Sequence, residues 1–363
     1  MIWQRRVLLS GLFLLGVMVR LSDGSISAQV GKEPEDVAVP TADGLRLSGT
    51  WYPGSLGKQA DLVIVLHAYG SNTSKGPYAT MAKEIQAKGF SVLTFDMRGH
   101  GKSTTNRTIG DAKQFVDRNL FPFNTWSGTS TSANAVKSID VKNFKTNYYP
   151  HLLNDVIAAR RFVDSRNDAG ECNSGRIHII ADRDAGNLAL LWTCLEFTRN
   201  GVNPIVPNGV APNHIAGSDI MSITFLSPKP TTNTGLKNLT NKLLRDKERP
   251  EIGVGIKEKV AMAFVYNTEA EKSTDFASSL FTSYWGLKPT VKEDKELGKY
   301  LIEVKGAKLI GIDLMDEKLD TSKSIATFIA ATKKKNVNGN DWKMRNATVL
   351  EPFVYPLHTY GIP

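Results

Sequence analysis

Residues 177–190 read IHIIADRDAGNLAL: a short apolar run, one tight turn, then an Ala/Leu-rich continuation. β-Branched residues favour an extended chain, whereas Ala and Leu favour a helix, so the stretch predicts a strand delivered directly into a helix. The turn is cramped. Ala181 and Ala185 lie two residues either side of Arg183, with Gly186 next, which leaves room for one side chain to project sharply from the apex.

Outward from this unit the same alternation continues. Residues 62–67 (LVIVLH) and 90–96 (FSVLTFD) are apolar runs suited to strands buried on both faces. A helical segment at 78–88 separates them and stops at Gly89, and strand, helix, strand at this spacing implies parallel pairing. Upstream, 37–53 (VAVPTADGLRLSGTWYP) predicts a hairpin turned at Ala42, Asp43 and Gly44. Downstream, 148–168 predicts an amphipathic helix opening near Pro150, and a helix at 187–198 follows the tight turn. Further strands are expected at 221–227, 259–266 and 300–312, with helices at 274–283 and 320–332. Residues 104–148, rich in Asn, Thr, Ser and Lys, interrupt the rhythm as an irregular insertion, and 228–257 is expected to form a small irregular cap. The expected class is α/β, a mostly parallel central sheet with helices on both faces, followed by a tail at 333–363.

Composition narrows the function classes. A 363-residue chain with 41% apolar and 22% charged residues buries a substantial core. Residues 1–28 stand apart: Arg5 and Arg6, then an uncharged run of 13 residues at 7–19, then small residues up to Ala28. This is the pattern of a secretory signal peptide, and the run is shorter than the ~20 residues of a stable membrane span. Export to the envelope, the periplasm or the medium is therefore expected. The net charge of +9 comes from scattered lysines without interleaved aromatics, apart from Lys333, Lys334 and Lys335, so a solvated basic surface is expected and nucleic acid is not. The two cysteines, Cys172 and Cys194, lie eleven residues either side of Arg183. A disulfide and two buried thiols are both compatible with that placement. No His-x-x-x-His or Cys-x-x-Cys spacing occurs, so no metal or other cofactor is expected.

Taken together, residues 35–332 resemble the α/β-hydrolase superfamily. LVIVLHAYGSN (62–72) resembles its oxyanion loop after the third strand, with His67 and Tyr69 in that loop. FDMRGHGKS (95–103) resembles its Asp-x-Arg-Gly-His-Gly-x-Ser turn, and 177–190 falls where the nucleophile elbow belongs. The resemblance then implies a serine at the apex, an acid after the seventh strand and a histidine after the last. Arg183 holds the apex, and a guanidinium has no lone pair with which to attack a carbonyl. Ala270 holds the acid position between Glu269 and Glu271, and Asp313 lies nearest to the base position.

Of the six histidines, 67, 100, 151, 178, 214 and 358, only His358 follows the final strand. A register shifted by one residue places Asp184 at the apex, as in the aspartyl-nucleophile branch of the superfamily, with His358 as its base. The third reading is a binding site: Asp182, Arg183 and Asp184 around a helix N-terminus suit a small carboxylate or phosphate ligand. Against it stands a plug, in which Asp182 or Asp184 neutralises Arg183. The leading expectation is a non-catalytic ligand-binding or structural protein, the alternative an active hydrolase.

Overall fold

In the computed structural model the tight turn joins β5 (Asn173–Asp182) to α3 (Ala185–Glu196), as the opening stretch requires. The structure describes residues 32–43, 45–74, 76–104, 139–144, 146–202, 210–269, 277, 293–294, 299–305, 308–316, 319–335, 341–347 and 354–361. The leader at 1–28, residues 105–138 of the insertion and the helix expected at 274–283, save Ala277, lie outside them.

The hairpin is β1 (Glu35–Pro40) and β2 (Arg46–Tyr52), followed by β3 (Asp61–Leu66), α1 (Gly76–Gln86) and β4 (Ser91–Phe95). A 3-10 segment at Thr146–Leu152 contains Pro150 and leads into α2 (Leu153–Asp168), so the helix starts later than Pro150. After α3 come the short pair β6 (Asn200–Val202) and β7 (Val210–Ile215), then β8 (Ile220–Leu226). Next are α4 (Thr234–Leu244), α5 (Pro250–Lys259) and β9 (Ala261–Asn267). β10 (Glu293–Asp294), β11 (Lys299–Val304) and α6 (Thr321–Lys335) complete the described elements.

Among the described residues the main sheet runs β1-β2-β4-β3-β5-β8-β9-β11-β10. The central pairs from β4 to β11 are parallel, whereas β1/β2, β2/β4 and β10/β11 are antiparallel. Side chains alternate along β3: Leu62, Ile64 and Leu66 enter one core cluster, and Val63 and Val65 enter the other. The first cluster is covered by α2, α3, α4 and α5, the second by α1 and α6, so helices lie on both faces. Each large apolar side chain removed from water contributes roughly 1.5–3 kcal/mol.

Two expectations are corrected. Residues 228–257 are not an irregular cap: they carry α4 and nearly all of α5, and Leu236, Leu239, Leu243, Ile252 and Ile256 join the core beside α3. The Thr- and Lys-rich composition masked a helical spacing of leucines. The strand expected at 300–312 ends at Val304, and a 3-10 turn, Gly311–Met315, follows. Both cysteines are buried free thiols, and burial raises their pKa.

The topology also locates the site. The chain passes from β3 outward to β4, then returns to lay β5 on the other side of β3. The strand order reverses there, and the carboxyl ends of β3 and β5 at such a reversal are where open α/β sheets hold their ligands.

Candidate active site at an altered elbow

Two loops meet at that point, one carrying His67 and Tyr69 after β3, the other carrying Asp182, Arg183 and Asp184 after β5. Arg183 adopts φ 48°, the left-handed region that a bulky residue enters at a cost of about 1–3 kcal/mol. Its backbone N–H is held by the Leu226 carbonyl of β8 at 2.8 Å. Asp184 has φ −70° and ψ −24° and precedes α3 without a side-chain bond to its first turn. The apex is therefore Arg183, and the shifted register with Asp184 at the apex is not the one adopted. Gly186 is required one turn on, because a Cβ there would lie 2.8 Å from the Phe225 ring.

Asp184 nevertheless occupies a revealing place. One oxygen of its carboxylate accepts the backbone N–H of Tyr69 at 3.2 Å. Its own backbone N–H and that of Tyr69 both favour the charged carboxylate, against the larger effect of burial, which raises its pKa. In an elbow site the N–H after the apex and one N–H from the loop after the third strand are the two donors that would hold an oxyanion. Here the chain's own carboxylate sits on them. The Asp184 carbonyl is fixed from the other side by the Tyr149 hydroxyl at 2.6 Å and the Asn187 amide at 2.9 Å.

Asp182 lies beneath the apex and is buried. The Tyr78 hydroxyl donates to its Oδ2 at 2.7 Å, and Arg183 Nε lies 3.5 Å from its Oδ1. Burial raises the Asp182 pKa to about 6, with the Tyr78 bond and the Arg183 charge working against it. The loop after β11 does return to this point: a Cβ at Gly311 would fall 2.1 Å from Asp182 Oδ1 and 3.0 Å from Arg183 Cγ. The place of a catalytic histidine is thus reached by backbone without one. Asp313, two residues further, is exposed.

Raising an acid's pKa makes the protonated form the favoured one, so Asp182 adds stability below the unfolded carboxyl value near ~4 and loses it as pH climbs through about 6. Relative to Asp182→Asn, the wild type is expected to lose about 2–3 kcal/mol between pH 4 and pH 7. Urea unfolding of both proteins at a series of pH values reads this directly. A difference that stays flat with pH would mean that Asp182 titrates in the folded protein as it does in the unfolded chain.

The histidines divide into structural groups. His67 Nδ1–H donates to Ala68 O at 2.8 Å, and its Nε2 accepts the Met97 N–H at 3.0 Å. Burial pushes its pKa down to about 4. His100 bonds Arg98 O at 2.8 Å and accepts the Gly70 N–H at 3.1 Å, so both rings are neutral braces for the two loops. His178 lies 2.8 Å from Ser222 Oγ and 3.7 Å from Asp61 Oδ2, a Ser-His-Asp sequence of contacts. All three residues are at most 1% exposed, so no substrate reaches them. The side chains of His214 and His358 lie outside the described residues, as do Ala270 and Glu271, while Glu269 is exposed. The turn carrying His358 is held on the α2/α3 flank through Tyr355, whose N–H meets Asn154 and whose hydroxyl meets Glu196 at the far end of α3.

Residues 57–119 match the family described as serine aminopeptidase, S33, among the hydrolases. The match covers under a fifth of this chain, and it is the strand order and the elbow that carry the fold assignment. The chain has the α/β-hydrolase fold. An uncharacterised protein of Mycobacterium tuberculosis is 38% identical over 66 residues, 18% of this chain and 23% of that one, so the match spans under a quarter of the relative. Similar solved structures include the Pyrococcus furiosus esterase Pf2001, at 14% identity, 82% and 90% coverage and TM-score 0.46. The esterase Est22 is 15% identical, with 84% and 82% coverage and TM-score 0.47. Likenesses of this size say nothing of activity. Among the described residues no helix is long and apolar enough to cross a membrane, and no group of three His, Cys, Asp or Glu side chains is suited to a metal ion.

Proposed function

We propose that this is an exported, non-catalytic protein built on the α/β-hydrolase fold, a pseudoenzyme whose elbow serves binding rather than turnover. The observation that carries the reading is the Asp184 carboxylate on the Tyr69 N–H, beside an arginine at the apex. Acyl transfer needs a nucleophile and donors left open for a developing oxyanion, and removing one such donor alone costs about 10²–10³ in rate. In this chain the nucleophile is replaced and the donors are already satisfied by a negative charge. The return of Gly311 instead of a histidine to the elbow supports the same reading.

Hydrolysis of short p-nitrophenyl esters and of haloalkanes tests it, using the mature protein, Arg183→Ser and Asp184→Asn. All three are expected at background. Arg183→Ser stays silent because a serine at the apex would still face an occupied oxyanion site and lack a base. Turnover by the wild type that Asp184→Asn abolishes would sink the proposal and make Asp184 a nucleophile.

A further inference from the structure

The geometry points to the outer edge of the Arg183 guanidinium as a binding site for a small monocarboxylate with an apolar body. The inference rests on the non-catalytic reading and names the ligand class for the same elbow. A ligand anion cannot use the backbone donors of the elbow, because Asp184 holds the Tyr69 N–H of the loop after β3 and would repel a second negative charge. Arg183 is the group that remains. The left-handed turn lifts its side chain out of the sheet, and the side chain stays one-third exposed.

The plug is met in part: Asp182 Oδ1 forms an ion pair with Nε at 3.5 Å, without a hydrogen bond, while within the described residues the two Nη groups make no hydrogen bond or ion pair, so the outer edge of the guanidinium stays open. That open Nη edge is a planar fork that matches the two oxygens of a carboxylate.

The neighbouring charges choose among anions. Lys229 approaches through the backbone, its N–H 3.4 Å from the Arg183 carbonyl, and its charge acts on Asp184. Two cations, Arg183 and Lys229, therefore stand against two carboxylates, Asp182 and Asp184. A single negative charge is accommodated at the Nη edge, whereas a phosphate dianion brings a second charge toward Asp184. The wall of the site supplies the apolar part. Gly311 packs on the Arg183 stem, and the preceding residue, Ile310, is 41% exposed.

Isothermal titration calorimetry of the mature protein with hexanoate, hexanol and inorganic phosphate provides the test, repeated on Arg183→Lys and Arg183→Gln. Hexanoate is expected to bind the wild type at least tenfold more tightly than hexanol or phosphate. Arg183→Gln should lose tenfold or more for hexanoate, and Arg183→Lys should lose severalfold because it keeps the charge without the fork. Equal affinity for hexanoate and hexanol, tighter binding of phosphate, or undiminished hexanoate binding by Arg183→Gln would each overturn the inference. The wild-type comparison stands even where a variant does not fold. Ester turnover measured separately reports on the non-catalytic reading, so the two can fail independently.

Discussion

Replacing Arg98 by Leu is expected to destabilise the protein by about 3–5 kcal/mol, because it leaves two buried carboxylates without their cation. Arg98 is 1% exposed and lies in the turn after β4. It bonds Asp43 of the β1/β2 hairpin at 2.6 Å and 3.2 Å. It also donates from Nε to Asp155 of α2 at 2.7 Å and from its backbone N–H to the same carboxylate at 2.8 Å. Its Nη1 also donates to the Tyr148 hydroxyl at 3.3 Å. One guanidinium therefore ties the hairpin, the turn and the start of α2 together. In Arg98→Leu the Asp155 carboxyl, which burial already raises and the Arg98 cation pulls down, would titrate further above its unfolded value near ~4. The variant would then be most stable below that value and would lose stability as pH rises through the raised pKa. The gap between wild type and variant should widen from pH 4 to pH 7 in urea unfolding. A gap under 1 kcal/mol at both pH values would show that the network contributes little net stability.

Ending the chain after residue 340 is expected to be more damaging still. The segment beyond it straps the α2 and α3 side of the molecule. Trp342 Nε1–H donates to Asn167 O at 3.1 Å, and the backbone N–H groups of Arg345 and Ala347 reach Asp168 at 2.5 Å and 2.8 Å. Arg345 pairs with Asp219 at 3.1 Å. Tyr355 and Leu357 are 3% and 2% exposed and belong to the core. Losing a buried side chain of this size costs about 2–5 kcal/mol, so two of them approach the 5–15 kcal/mol total of an ordinary domain. The truncated protein should appear in the insoluble fraction or melt at least 10 °C lower. Tyr355→Phe is a milder probe. It leaves Glu196 with Arg199 and should cost about 1–3 kcal/mol. A soluble truncation with unchanged melting would mean that the strap is an ornament on a core complete without it.

Much of this architecture can be read from residue patterns. The apolar runs at 62–67 and 177–182, and the small residues around Arg183, placed the central strands and the apex, because burial on both faces and steric crowding act locally. The leucines of α4 were obscured by their Thr- and Lys-rich setting. β11 was drawn too long because the apolar Leu309, Ile310 and Ile312 look like strand but lie beyond Val304. What the sequence could not disclose is the place of the Asp184 carboxylate. That carboxylate meets the N–H of Tyr69, 115 residues away, and no local propensity encodes such a meeting. The same holds for Tyr78 on Asp182 and for the folding of the tail across α2.

The seat of Asp184 also bears on what substitution can achieve. On the non-catalytic reading, placing a serine at the apex yields nothing while the carboxylate remains, and removing the carboxylate yields nothing without a serine and a histidine. No single substitution then opens a route to hydrolysis, so the elbow behaves as a lock with several wards, and what it can still take up is whatever its arginine can hold.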